Sequence, residues 1–232
     1  MERGLYIAAS GMLAEMARQE QLANDLANAS TPGYKADRVS QRSFGDLMLS
    51  NSTDGSMVGP LGQGAAIDKQ VTDVRPQAMR DTGQPLDLAV EGDGWFGVQT
   101  KQGVRYTRNG SFTADAQGKL VDQLGNQVLG VGGKPVQVTD GTLDPSKVAL
   151  FNLSKPVKQG DSNFTGQATG QATGQATGQV RSGSLEGSGV DPARAMVDLM
   201  ASMRTMEATQ RAITTIDSTL QQTASQVGGL PG

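Results

Sequence analysis

The stretch NDLANASTPGYKAD, residues 24–37, decides how the chain is organised, because a helical pattern stops inside it. Upstream of it, apolar and small residues recur at alternating spacings of four and three, which predicts an amphipathic helix to about residue 28. Pro32 and Gly33 then end the helix, since proline disfavours helical backbone at the residue before it and glycine permits a sharp turn. The predicted seam consists of Leu5, Ala9, Met12, Met16, Gln19, Ala23 and Leu26.

A second helical pattern occupies the other end of the chain. Asp191 stands at the predicted N-cap and Pro192 at the first helical position. The pattern continues to about residue 222, after which we expect the tail to fray. Its seam is Met196, Leu199, Met203, Met206, Gln210, Ile213, Asp217 and Leu220. The two seams predict helices that pair into a coiled-coil-like domain formed by residues 1–30 and 190–232.

The middle of the chain has the short periodicity of β-structure. Strand-like runs alternate with turn residues, which predicts a central β domain over residues 86–164. Asn109-Gly110 predicts a hairpin turn between RYTR and SFT. DAQGK and LGNQ predict further turns, with KLVD and QVLG as paired strands. The expected fold class is therefore α+β, with terminal helices and a central all-β domain.

Three further segments are assigned from their composition. Residues 31–85 are rich in Gly, Ser and Asp, which predicts an extended or looped connecting region. Residues 165–180 repeat the unit TGQA without apolar periodicity, which is typical of a surface loop. Residues 181–189 are expected to form a linker that returns the chain to the second helix.

The composition excludes several classes of function. The net charge of the 232-residue chain is −3 without a basic cluster, which argues against electrostatic binding to nucleic acid. Cysteine and histidine are both absent, so thiolate and imidazole groups are unavailable as ligands or nucleophiles. We find no run of 18 apolar residues and no signal-peptide pattern at the N-terminus. The sequence predicts no enzyme, no cofactor and no metal site.

Three local patterns could suggest chemistry, but each has a simpler interpretation. GDGWFG (92–97) matches a dinucleotide-binding pattern, yet a strand-like run follows it where a helix is required, so a β-turn is favoured. An acidic trio could suggest glycoside hydrolysis, whereas solvated turn carboxylates are the favoured reading. Four methionines of the second helix could bind a soft metal, but they favour an adaptable packing face. The acidic trio is Asp87, Glu91 and Asp93, and the four methionines are Met196, Met200, Met203 and Met206.

The sequence resembles the bacterial flagellar basal-body rod protein family, the group that also includes the hook protein. The segments that carry the resemblance are GLYIAASGMLA (4–14), LANDLANASTPGYKAD (22–37), PLDLAVEGDGWFGVQ (85–99), YTRNGSFTADAQGKLVDQLGNQVLG (106–130) and GSLEGSGVDPARAMVDLM (183–200). They are spread along the chain from residue 4 to residue 200 and follow the family's order. The resemblance leaves open whether the chain is a distal or a proximal rod subunit.

That resemblance implies a structural subunit that polymerises into the tubular rod and transmits torque from motor to hook. The implied partners are further copies of the chain in a helical homopolymer, other flagellar rod and hook proteins, and the flagellar type III export apparatus. The implied location is the basal body, outside the cytoplasm, reached without cleavage of a signal peptide.

Assembly contacts are expected on the two terminal helices. A single helix pair leaves apolar surface uncovered, and a surface that docks on a different surface of the next copy builds a ring or a filament. The residues assigned to this interface are Leu5, Met12, Met16, Leu26, Asn28, Met196, Leu199, Met203, Ile213 and Leu220. Two other classes remain open: a secreted enzyme acting on cell-wall glycan, and a freestanding adhesin or binding module.

Overall fold

The computed structural model describes residues 2–43, 47–50, 57–61, 64–139, 141–160, 162–169 and 178–228. Its helices are α1 (Glu2–Ala27) and α2 (Pro192–Gly228), with a single-turn 3-10 helix at Pro145–Lys147. The strands are β1 (Asp37–Ser43), β2 (Leu47–Ser50), β3 (Met57–Leu61), β4 (Ala65–Thr72), β5 (Met79–Asp81), β6 (Leu88–Glu91), β7 (Trp95–Thr100), β8 (Gly103–Thr107), β9 (Thr113–Ala114), β10 (Leu120–Val121), β11 (Gln127–Val128), β12 (Leu150–Lys158), β13 (Asn163–Thr169), β14 (Gln179–Ser182) and β15 (Ser184–Glu186). The α+β class is confirmed.

The chain divides into two units. The helical unit comprises Met1–Leu26, Asp37–Val71 and Pro192–Gly232, and the β unit comprises Ala27–Ala36 and Thr72–Asp191. Residues 37–71, which we assigned to a connecting region, therefore belong with the helices. Part of this segment forms two strand pairs, β1 with β4 and β2 with β3. A strand needs only an extended backbone that pairs with a neighbour, with side chains alternating between its two faces.

Both helices start and stop near the predicted residues, with one correction. α1 ends at Ala27, and α2 begins at Pro192 as predicted. The expected fraying after residue 222 is wrong for residues 223–228, which continue α2 to Gly228. No glycine or proline interrupts this segment before Gly228, and the Thr223 hydroxyl donates to the Thr219 carbonyl at 2.6 Å.

The β unit is built around strand β7. The order of its main sheet is β12-β13-β8-β7-β11-β10-β9, and β12 also pairs with β7, so that β7, β8, β13 and β12 form a closed ring. Aromatic side chains of β7 contact other parts of the unit, with the ring centroids of Trp95 and Phe164 4.7 Å apart and those of Phe96 and Phe112 5.3 Å apart. The core consists of Leu88, Val90, Phe96, Val98, Phe112, Leu120, Val128, Val136, Leu143 and Val148.

The C-terminal part of the β unit differs from the predicted loop and linker. Val180 of β14 pairs with Val90 of β6, and Leu185 of β15 pairs with Arg80 of β5. Part of the segment 181–189, which we expected to form a linker, therefore lies in β14 and β15, and Leu185 of β15 is buried. The TGQA segment also begins inside β13 and ends inside β14, while residues 170–177 lie outside the described residues.

The turn predictions have mixed outcomes. The pairing of KLVD with QVLG is confirmed, with Val121 opposite Gln127. The hairpin at Asn109-Gly110 is wrong, because β8 pairs with β7 and β13 and not with the segment that follows it. Gly110 instead packs on a neighbouring strand: Leu88 N donates to Gly110 O at 3.0 Å, and a Cβ on Gly110 would lie 1.6 Å from Leu88 O.

Candidate assembly site

The two helices contact each other within the helical unit. The Ser202 hydroxyl donates to the buried Glu15 carboxylate at 2.5 Å, near the middle of α1. Near the start of α1, a methyl group on Gly4 would lie 3.6 Å from Cδ1 of Ile216. The side-chain amide of Gln19 also donates to Met206 Sδ at 3.5 Å, so α1 meets α2 at three positions along its length.

The covered face of α2 is rotated relative to the predicted seam. Met196, Met203, Gln210 and Asp217, which we predicted on the seam, are exposed. The hydroxyl of Ser202 donates to Glu15, and the next residue, Met203, is 50% exposed. Apart from Asp198, the buried and half-buried positions of α2 up to residue 225 are Ala195, Leu199, Ser202, Met206, Thr209, Ile213, Ile216 and Leu220, at alternating spacings of four and three.

The residues assigned to assembly occupy two kinds of position. Three are about half exposed: Met16 at 41%, Met196 at 49% and Met203 at 50%. The others are half-buried, namely Leu5, Met12, Leu26, Asn28, Leu199, Ile213 and Leu220. Asn28 lies in the β unit, where its carbonyl accepts a hydrogen bond from the Ser188 hydroxyl at 3.0 Å.

Further exposed apolar residues were missing from our assignment. Tyr6 and Leu13 on α1 are each 67% exposed, and Val197 and Met200 on α2 are 59% and 53% exposed. Tyr6 and Leu13 are seven positions apart and therefore share one helix face, which was a sequence signal for a second apolar stripe. Both helices thus carry one covered face and one exposed apolar face.

The β unit contains a buried charge cluster that includes Lys35, a residue of the stretch 24–37. Lys35 Nζ lies 2.6 Å from Glu186 Oε1, and Arg108 Nη1 lies 3.3 Å from Glu186 Oε2. All three side chains are at most 3% exposed. Two cations therefore share one carboxylate inside the fold.

Backbone groups satisfy most of the remaining polar atoms of this cluster. Lys35 Nζ donates to Arg75 O at 2.7 Å, and Gln77 N donates to Glu186 Oε1 at 2.9 Å. Arg108 Nη2 donates to a backbone carbonyl at 2.8 Å, although Arg108 Nε has no hydrogen-bond partner among the described residues. Burial lowers the pKa of Lys35 from its ordinary value, and the attraction of the Glu186 carboxylate opposes that shift.

Gly33 brings the opening stretch against this cluster. Its φ angle is +64°, and a Cβ on Gly33 would lie 2.3 Å from the carbonyl carbon of Arg108. Gly33 N also donates to Glu186 O at 2.9 Å. The Ser-Thr-Pro-Gly-Tyr-Lys segment therefore packs against two distant parts of the chain, at Arg108 and at Glu186.

Sequence reasoning did not find this cluster. Lys35 and Glu186 are 151 positions apart, and no periodicity links them. The available signal was that Lys35, Arg108 and Glu186 all fall in the segments that carry the family resemblance.

The other candidate groups do not form a chemical site. Asp87 accepts a hydrogen bond from the Thr82 hydroxyl at 2.7 Å, while Glu91 and Asp93 are exposed. Across the described ranges, no group of three or more acidic residues is placed to hold a metal ion. Neither described helix is both long and apolar enough to cross a membrane.

Comparison with known proteins identifies the family. Residues 5–35 match the profile described as flagella basal body rod protein, and residues 89–155 match the flagellar hook protein FlgE/F/G D1 domain. Residues 181–227 match the flagellar basal body rod FlgEFG protein C-terminal profile. These matches include most of α1, β7 to β11 and most of α2.

Relatives extend the match over nearly the whole chain. The chain is 35% identical to the basal-body rod protein FlgF of Escherichia coli K12 and 33% identical to FlgF of Salmonella typhimurium LT2, covering 94% of this chain and 95% of each relative. It is 28% identical to the basal-body rod protein FlgG of Bacillus subtilis 168, covering 96% of this chain and 98% of that one. The chain belongs to the flagellar basal-body rod proteins, a family of structural proteins and not of enzymes.

Proposed function

We propose that the chain is a structural subunit of the flagellar basal-body rod, and that its terminal helices polymerise into a tubular shaft that transmits torque from motor to hook. Its relatives are named basal-body rod proteins, and the chain matches at least 95% of the length of each. The proposal adds to this family role the surface by which copies join.

The exposed apolar faces of α1 and α2 carry the proposal. Tyr6 and Leu13 on α1, and Val197, Met200 and Met203 on α2, are all at least half exposed. Contiguous exposed apolar side chains are typical of protein interfaces. In the proposed contact, α1 of one copy docks on α2 of the next copy, and a heterologous contact of this kind that does not close into a ring extends into a filament.

The partners in this proposal are those that the family resemblance implies. The terminal helices form coiled-coil-like contacts with further copies of the chain and with other flagellar rod and hook proteins. The chain reaches its place outside the cytoplasm through the flagellar type III export apparatus, without cleavage of a signal peptide. The β unit has a core of its own, to which neither terminal helix contributes a residue.

A charge on the exposed face of α2 tests the proposal. Met203→Asp places a carboxylate at a position that is half exposed in the single chain and becomes covered in the polymer. We expect normal expression, unchanged Trp95 fluorescence and no rods or filaments in electron micrographs. The matched control is Met203→Leu, which keeps the side chain apolar and should support rods. Normal rods built from Met203→Asp would contradict the proposal.

A further inference from the structure

Helix α1 and strand β4 enclose an apolar groove of about 300 Å³ on the helical unit. Its rim is formed by Tyr6, Leu13 and Ile67, which are 67%, 67% and 45% exposed, and alanines such as Ala14 and Ala65 line it between them. None of its lining residues is charged. A hydrogen bond from Ala65 N to the Ser10 hydroxyl, at 3.3 Å, joins the two walls.

Helix α2 carries a row of three methionines. Met196, Met200 and Met203 follow each other at spacings of four and three, so they lie on one face of the helix. They are 49%, 53% and 50% exposed. This methionine row is turned away from the face of α2 on which Ser202 binds Glu15.

We propose that the groove between α1 and β4 receives the methionine row of a second copy of the chain. This proposal rests on the proposed function and names the pair of surfaces that would join neighbouring subunits. An unbranched thioether side chain adapts to a narrow groove lined by alanines. The lining residues of the groove and the three members of the row are uncharged, and the first charged side chain on the same face of α2, Glu207, lies one turn beyond Met203.

The position of the groove on α1 favours a helix as its occupant. Gly4, Glu15 and Gln19 contact α2 of the same chain through Ile216, Ser202 and Met206. At about 100° of rotation per residue, Tyr6 and Leu13 lie on the opposite side of α1. A second copy of α2 in the groove would therefore continue the existing layer of packed helices. A methionine row docking on another methionine row would leave the groove empty, whereas groove and row fill each other.

Cysteine cross-linking in assembled rods tests the pairing, because the natural chain contains no cysteine. Cells would co-express a tagged Leu13→Cys variant and an untagged Met200→Cys variant, and isolated basal bodies would be treated with an added oxidant. We expect tagged–untagged disulfide dimers and few dimers of either variant with itself. Ile67→Cys replaces Leu13→Cys as a second groove position, and Thr215→Cys replaces Met200→Cys as an exposed control outside the row.

The outcomes separate this inference from the proposed function. Rods that contain both variants but yield no mixed dimers from either groove position would overturn the pairing and leave the rod assignment intact. Equal amounts of mixed dimers with Thr215→Cys would also overturn it. If the wild-type chain is absent from basal bodies, the proposed function fails and the pairing with it. Binding of the purified chain to phosphatidylglycerol vesicles that is abolished by Leu13→Glu would assign the groove to lipid and overturn the pairing.

Discussion

Lys35 and Glu186 are 151 positions apart in the sequence, yet Lys35 Nζ lies 2.6 Å from Glu186 Oε1 in a site where both side chains are at most 1% exposed. Arg108 contacts the other carboxylate oxygen at 3.3 Å. The first and last segments of the β unit are thus joined by one carboxylate between two cations. Ion pairs in such surroundings are costly to break by removing one partner, because a buried charge is left behind.

Removing the carboxylate is expected to be more harmful than removing either cation. Glu186→Gln leaves Lys35 and Arg108 buried together, which we expect to lower the free energy of unfolding by about 3–5 kcal/mol. Lys35→Met leaves the Glu186–Arg108 pair intact and is expected to cost about 1–3 kcal/mol. Urea denaturation followed by the single tryptophan, Trp95, measures both values.

The double variant and a surface pair provide the controls. Adding Lys35→Met to Glu186→Gln should recover part of the loss, because it removes one of two unmatched cations. Arg181→Met breaks the exposed Arg181–Asp81 pair and should change stability by less than about 1 kcal/mol. Equal losses for Glu186→Gln and Lys35→Met would contradict the shared-carboxylate arrangement.

Alanine substitutions at two glycines with similar φ angles distinguish the cost of left-handed backbone strain from the cost of a steric clash. Gly33 has φ +64° and a backbone neighbour 2.3 Å from the position of a Cβ, whereas Gly83 has φ +71° and open space. Gly83→Ala should cost only the left-handed strain of about 1–2 kcal/mol. Gly33→Ala carries the same strain and must also displace the backbone of Arg108, so its thermal midpoint should fall clearly further. Similar midpoints for the two variants would show that the packing of Gly33 against Arg108 yields easily.

The pKa of Lys35 predicts a pH dependence with a defined sign. Burial lowers the folded-state pKa below the ordinary 10.5, so at a pH between the two values the unfolded chain binds more protons than the folded one. The contribution of Lys35 to stability therefore rises as the pH increases toward 10.5. We expect the stability of the wild-type chain relative to Lys35→Met to increase over this alkaline window in urea titrations. A decrease would mean that the Glu186 carboxylate outweighs burial.

Sequence periodicity was sufficient for the helices and for the class of fold, since α1 ends shortly before Pro32 and Gly33 and α2 begins at Pro192, and these residues act locally. Sequence periodicity failed where contacts between distant segments of the chain determine the structure. Asn109-Gly110 has the composition of a hairpin turn, but the backbone of Gly110 packs against Leu88 and accepts a hydrogen bond from its N–H. The segment after Gly110 therefore does not pair with β8. The rotation of α2 was missed for the same reason, because the pairing of Ser202 with Glu15 gives no apolar signal.

Neighbouring positions on α2 are expected to affect different properties. Ser202→Ala removes the hydroxyl that donates to the buried Glu15 carboxylate, which should destabilise the helix contact by about 1–3 kcal/mol. Met203→Ala removes a half-exposed side chain and should leave that contact within about 0.5 kcal/mol of the wild type. Amide hydrogen exchange of the purified chain should therefore speed up across α1 and α2 in Ser202→Ala and stay unchanged in Met203→Ala. Rod incorporation, measured by the amount of each variant in isolated basal bodies, should fall for Met203→Ala despite its unchanged exchange. If Met203→Ala speeds up exchange as much as Ser202→Ala does, Met203 belongs to the contact within the chain, and its role between copies has to be abandoned.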